Sequence, residues 1–239
     1  MIKENEIIER LEKVDKRIIQ KKGGFRFSID PVLLANFIKI PKKIKIADLG
    51  TGSAIMPLLL ANNEMIKKIY AFEIQEEIAE MAKRTIELNK LGKKIVIYNK
   101  DINEIDSSKY EVDMIITNPP YMKVEEGKVS EDLQKAISRH ELKLKLAELI
   151  KKSAEILNKK GSFNIIYRTE RLEELLEILR KNKLYVKRIR FIYSKIGKTA
   201  KLFMLEAQKE IKNILQIEEA LYLYNQNNNY TSEVLKYYE

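Results

Sequence analysis

Three short apolar runs in this chain each end on an acid, and their spacing dictates how they can pair. Ile44-Lys45-Ile46-Ala47 leads to Asp48, Lys68-Ile69-Tyr70-Ala71-Phe72 to Glu73, and Lys94 to Tyr98 to Asn99-Lys100-Asp101. Helical patterns, Ile55 to Ala61 and Gln75 to Asn89, separate the first from the second and the second from the third. Strands divided by helices cannot close as hairpins, so they need crossover connections and lie parallel, with their carboxyl ends along one rim. The fold expected is α/β, doubly wound and Rossmann-like. Asp48, Glu73 and Asp101 then share the crevice in which open sheets of this kind bind ligands.

Leu49-Gly50-Thr51-Gly52-Ser53-Ala54 joins the first strand to its helix without a break. Glycines there let a backbone approach a ligand closely. Counting from Gly50, Gly52 fills the second position of a dinucleotide fingerprint, but Ile55 stands at the third. No Gly-Lys-Ser/Thr of a phosphate loop follows either. A ligand without a pyrophosphate is expected. Glu73, about twenty residues beyond the glycines, stands where a carboxylate accepts from ribose hydroxyls. Asp101 is placed to accept from the adenine amino group of such a ligand.

A fourth apolar run, Val112 to Thr117, leads into Asn118-Pro119-Pro120-Tyr121. Two prolines fix φ and remove two N–H donors, so this turn continues neither a sheet nor an ordinary helix. The Asn118 side chain and the Pro119 carbonyl become acceptors aimed at a common point. A planar amine donates to both, and Tyr121 offers a face for its ring. Residues 122–138 are polar and read as a mobile loop over the cleft.

Other segments read less sharply. Residues 1–22 suggest a short helix or a mobile arm. In Gly23-Gly24-Phe25-Arg26-Phe27 the aromatic residues flank Arg26, which is either part of an edge hairpin capping the core or close to the ligand. Asp30-Pro31 starts a helix. His140, the only histidine, is read as a helix-start residue held by Glu141 or by backbone in preference to a general base. Leu142 to Leu157 forms a long helix closed by Lys159-Lys160-Gly161. Ser162 to Tyr167 is a fifth strand, and Tyr185 to Tyr193 and Ala200 to Ala207 form a final hairpin. The sheet is therefore expected to have seven strands, mostly parallel, with an antiparallel strand from that hairpin. The division expected is an arm (1–22), a main domain (23–210) and a tail (211–239) packed on it as an extended arm, a turn and a short helix.

Charge bears on the partner. The formal net charge is +10, which suits a polyanion. From Ile178 to Leu205 nine basic residues occur with no acid. Lys187, Arg188, Arg190, Lys195 and Lys198 in that window are candidates for phosphate contacts, against the plainer reading of a solvated hairpin in a Lys-rich chain. With no cysteine and one histidine, no metal site is expected. No run reaches membrane-spanning length and the first residues have no apolar signal core, so a cytoplasmic protein is expected.

Together, Asp48-Leu49-Gly50-Thr51-Gly52, Glu73, Asp101 and Asn118-Pro119-Pro120-Tyr121 resemble the motifs of class I S-adenosylmethionine-dependent methyltransferases that act on amino groups. Gly24 to Asp30, Arg139-His140-Glu141, Tyr167 to Leu172 and Tyr230-Thr231-Ser232-Glu233 are similar to the bacterial tRNA(Val) adenine-37 N6-methyltransferase family. The resemblance implies S-adenosylmethionine as cofactor and tRNA as partner. It places Asn118, Pro119 and Tyr121 at the catalytic position, and Arg26, Asp48, Gly50, Thr51, Gly52, Glu73, Asp101 and Asn118 around the cofactor. Glutamine methyltransferases of release factors and adenine methyltransferases of rRNA or DNA share the four-residue motif. A non-catalytic RNA-binding module is the alternative outside enzymes.

Overall fold

The computed structural model describes residues 2–23, 28–119, 146–212 and 214–238. Its centre is a sheet that starts with β3 (Ile44–Leu49), β4 (Ile66–Glu73) and β5 (Ile95–Asn99) and resumes with β6 (Val112–Thr117) and β7 (Leu157–Arg168). The hairpin of β8 (Leu184–Tyr193) and β9 (Ala200–Lys209) completes the seven strands expected from sequence. The spatial order is β5-β4-β3-β6-β7-β9-β8, with β9 antiparallel to both neighbours and the other pairings parallel. Two short additions were not foreseen. β10 (Gln216–Ile217) and β11 (Leu221–Tyr222), both from the tail, pair in parallel with the outer edge of β8.

Helices cover both faces, as parallel strands require. On one side lie α1 (Asp30–Phe37), α2 (Ile55–Leu60) and α3 (Glu76–Leu88). On the other lie α4 (Leu146–Ile156) and α5 (Leu172–Lys181). The sequence explains α3 well: Ala79, Met81, Ala82, Thr85 and Ile86 form its buried stripe, and Glu76 and Glu77 occupy the first turn, where the helix dipole favours acids. Each strand core is almost wholly apolar, with Ile46, Ile69, Ile115 and Phe163 fully buried.

Residues 2–22 differ from expectation. They form a β-hairpin, β1 (Glu6–Leu11) and β2 (Lys16–Lys21), turned through Asp15 at φ 48°. The hairpin is stitched to α3. Ile19 N–H donates to Thr85 Oγ1 at 3.1 Å, Arg17 N–H donates to Asn89 Oδ1 at 2.9 Å, and Asn89 Nδ2 returns a bond to the Arg17 carbonyl at 2.6 Å. Glu6, 5% exposed, receives both guanidinium nitrogens of Arg84 at 2.7 and 2.6 Å. A free arm of this composition would have no reason to order; the docking partners lie far along the chain, on and just past α3.

The expected turn at Lys159-Lys160-Gly161 falls inside β7. Leu157 pairs with Val112 and Ser162 with Met114, so the intervening residues bulge from the ladder, with Lys160 at φ 65°. The tail closes with α6 (Ser232–Lys236), capped by the Thr231 hydroxyl accepting from Val234 N–H. Leu221 and Val234 are fully buried and join the α1–α3 side of the core.

Candidate functional site

The strand order reverses between β3 and β6, so the crevice opens at their carboxyl ends. Asp48 is there, 0% exposed, with Oδ2 accepting from the Thr51 hydroxyl at 2.6 Å. Its Oδ1 has no hydrogen-bond partner among the described residues. Burial, reinforced by the nearby charge of Glu73 and opposed by the Thr51 bond, pushes this carboxyl up to about 7. A buried acceptor left open costs on the order of 1–3 kcal/mol, a cost that a cationic ligand group would relieve.

The turn after Asp48 is held away from ordinary backbone. Gly50, Gly52 and Ala54 have φ of 77°, 57° and 67°. Among the described residues nothing lies within 4 Å of where a Cβ on Gly50 or Gly52 would sit, so it is conformation, not crowding, that demands glycine there. Gly50 N–H and Thr51 N–H both donate to the Phe72 carbonyl at 3.0 Å, tying this turn to β4.

Glu73, buried at the end of β4, accepts from Gly52 N–H at 3.0 Å and Gln75 N–H at 2.9 Å. A carboxylate has about four acceptor sites, so two bonds leave capacity for a diol. Asp101 lies on the next loop, half-buried, and accepts from Asn103 N–H at 2.8 Å. Asp48 pairs with Ile116 across β3 and β6. Asn118 therefore emerges beside the glycine turn. The Thr117 hydroxyl fixes that approach by donating to the Leu49 carbonyl at 2.7 Å. Asn118 is half-buried and Pro119 buried. Asp48, Gly50, Thr51, Gly52, Glu73, Asn118 and Pro119 thus converge on one crevice, with Asp101 at its side. Arg26, Pro120, Tyr121, the 122–138 loop and His140 lie outside the described residues.

Sequence reasoning passed over Thr117 and Asn99. The Asn99 amide donates to the carbonyls of Glu73 and Ile74 at 3.0 and 3.1 Å and so shapes the loop after Glu73. Phe72, Tyr98 and Tyr110 pack beneath, with Phe72 and Tyr98 stacked at 5.2 Å. Alternating aromatics at 70 and 72 were the one available signal.

The basic candidates divide. Arg188 is 2% exposed, pairs with Glu206 and Glu218, donates to the Phe37 carbonyl at 2.6 Å and lies over the Phe37 ring. It cannot reach a phosphate without breaking that network, so its reading as a phosphate contact is corrected: it is an internal strut. Arg190 likewise holds the tail, through the Glu219 carbonyl, the Glu233 carboxylate and the Tyr237 hydroxyl. Lys187 pairs with Glu206 at 3.1 Å. Lys195 and Lys198 remain on the β8–β9 turn, the latter exposed.

The open oxygen of Asp48 and the spare acceptor capacity of Glu73 suit a ligand carrying a cationic group and a diol. Comparison with known proteins agrees on the family. The family described as methyltransferase small domain matches residues 28–192. A protein named tRNA1(Val) (adenine(37)-N6)-methyltransferase from Tolumonas auensis is 26% identical over 219 residues, 91% of this chain and 90% of that one. One of the same name from Bacteroides thetaiotaomicron is 28% identical over 77% of each chain. Among solved structures, a protein described as a predicted O-methyltransferase from Agrobacterium tumefaciens superposes with a TM-score of 0.70 at 19% identity, covering 87% of this chain and 95% of that one. At that identity the likeness speaks to the fold.

Proposed function

The chain belongs to the methyltransferase small domain family, and from that premise we propose that it methylates the N6 amino group of adenine in tRNA, with adenine 37 of tRNA(Val) as the target. The observation that carries this reading is the buried, half-satisfied Asp48 on β3 directly beside the strand that delivers Asn118 and Pro119. The relatives' names supply the substrate.

S-adenosylmethionine, when bound, supplies a methyl group on a positively charged sulfur. Asp48 and Glu73 would hold its amino-acid and ribose portions, Asp101 its adenine, and the Gly50–Gly52 turn would let it approach the backbone. Asn118 and the Pro119 carbonyl would accept the two hydrogens of the adenine amine. Neutral N6 is a poor nucleophile because its lone pair is delocalised into the ring. Two acceptors below the ring plane favour a pyramidal nitrogen, and orientation with electrostatics then lowers the barrier. Tyr121 would stack on the extruded base. The proton leaves to solvent, so no covalent nucleophile is needed. Such a role places the protein in the cytoplasm with tRNA.

The test is incubation with labelled S-adenosylmethionine and total RNA, then digestion to nucleosides. Label is expected in N6-methyladenosine of the tRNA fraction, and Asn118→Ala is expected to abolish it while cofactor binding persists. Label in protein or only in rRNA, or near-wild-type turnover by Asn118→Ala, refutes the assignment.

A further inference from the structure

The sheet topology brings a second set of residues to the same rim as the site. β6, β7, β9 and β8 are neighbours, so the turn joining β8 to β9 projects from the same carboxyl rim as the end of β6, displaced sideways by two to three strand spacings, about 10–15 Å. Lys198 and Lys201 are exposed and Lys195 half-buried on that projection. None of the three is held by an ion pair among the described residues, unlike Lys187, Arg188 and Arg190 behind them. The tail arrives at the same place. Tyr224 N–H donates to the Ser194 carbonyl at 2.9 Å, and Tyr224 bridges to Tyr230. The Tyr224 and Tyr230 rings stack at 5.1 Å with 14° between planes, and Tyr230 and Tyr238 at 5.9 Å with 20°. Tyr238, the end of this ladder, is 40% exposed.

We propose that Lys195 and Lys198 of the turn, Lys201 at the start of β9, and the stacked Tyr224, Tyr230 and Tyr238 form the docking surface for the RNA strand that leads away from the target base. This rests on the reading of the chain as an RNA methyltransferase. Cations without protein partners neutralise phosphates, and a stack ending in an exposed ring extends by one more flat base without regard to its identity. The combination suits single-stranded RNA better than an acidic protein segment, which would use the lysines and leave the ladder idle. A competing, mainly basic cavity, lined by Arg10, Asp15, Lys16, Arg17 and Lys90 among others, sits where α3 ends, at the opposite rim of the sheet. A strand held only at that rim lies across the sheet from the end of β6 that leads to Asn118.

The experiment measures anisotropy of a labelled anticodon stem-loop RNA across a potassium chloride series, alongside methyl transfer to the same RNA. Three unmade phosphate contacts reduce the slope of log K against log salt by about 2. The combined Lys195→Glu, Lys198→Glu, Lys201→Glu variant is therefore expected to bind more than about tenfold more weakly at roughly 100 mM salt, with raised KM and retained kcat. Tyr238→Ala is expected to weaken binding by roughly five- to a hundred-fold with an unchanged slope, and Tyr238→Phe to restore it. Lys16→Glu with Lys90→Glu serves as the control and stays within about twofold of wild type, since that rim is out of reach of the bound strand. Unaltered S-adenosylmethionine binding by calorimetry shows that each variant is folded. Wild-type binding and slope in the triple variant overturn the surface, even where wild-type protein methylates the RNA. If the lysine variant weakens binding while Tyr238→Ala changes nothing, the aromatic half is overturned and a simple polyanion contact takes its place. A wild-type protein that neither binds nor methylates any RNA overturns the functional reading itself.

Discussion

Replacing Asp48 by asparagine separates what the fold wants from what the ligand wants. Asp48 is fully buried, holds one hydrogen bond and has a carboxyl pushed up to about 7 from an ordinary 3.8. Each pKa unit is worth about 1.4 kcal/mol, so ionised Asp48 costs the ligand-free protein on the order of 4 kcal/mol. Between about pH 4 and 7 the folded state keeps a proton that the unfolded chain has lost, and stability contributed at this position falls as pH rises; above about pH 7 it is flat. An asparagine in its place keeps an acceptor for the Thr51 hydroxyl and carries no charge. Urea unfolding of both proteins from about pH 4.5 to 8.5 is expected to show Asp48→Asn gaining on wild type with pH, ending about 2–4 kcal/mol ahead at the alkaline end. Titration with S-adenosylmethionine is expected to show the opposite sign, a weaker complex for the variant. A difference between the two proteins that does not change with pH, or a variant less stable than wild type at the alkaline end, refutes the argument.

Two further perturbations probe the frame around the site. The Glu6 carboxyl is held down to about 2, chiefly by its hydrogen bonds from Arg84 against the cost of its burial, so Glu6→Gln is expected to destabilise the protein by about 2 kcal/mol at neutral pH. That deficit is fully present above the ordinary carboxyl pKa and shrinks as pH falls below about 4.5; denaturant midpoints at neutral pH that coincide within error would show that the hairpin is not anchored this way. A Cβ on Gly161 would lie 2.9 Å from the Asn158 carbonyl and from a Leu157 methyl, and 3.1 Å from the Asp113 carbonyl. Gly161→Ala is expected to cost about 1–3 kcal/mol, seen by calorimetry as a melting temperature lowered by roughly 3–10 °C, and an unchanged or higher Tm counts against the bulge as drawn.

The strands β3 to β6 and their helices were legible because one local signal sufficed: an apolar run, a glycine or acid at its end, then a helical period. The same holds for the convergence of Asp48, Glu73 and Asn118, since parallel strands can end only on a common rim. What was not legible depends on partners distant in sequence. The N-terminal hairpin has no glycine, proline or asparagine at its turn, and its order comes from Thr85, Arg84 and Asn89 on and just past α3. Arg188 looked like part of a bare basic face because the acid-free window ends one residue before Glu206, the carboxylate that buries it. Asp48 was read from sequence as a site acid, but its unmatched oxygen and raised pKa follow from its burial, which no local pattern records.

The tail's two short strands have a consequence unrelated to catalysis. A ten-residue β8 with a bare outer side would be a template onto which strands of other molecules could add. Gln216–Ile217 and Leu221–Tyr222 occupy that side in two separate pieces, each too brief to serve as a template in its turn. The final residues of the chain thereby act as a built-in guard against runaway strand addition, and Arg190, clamped to Glu233 and Tyr237, is the latch that keeps the guard closed.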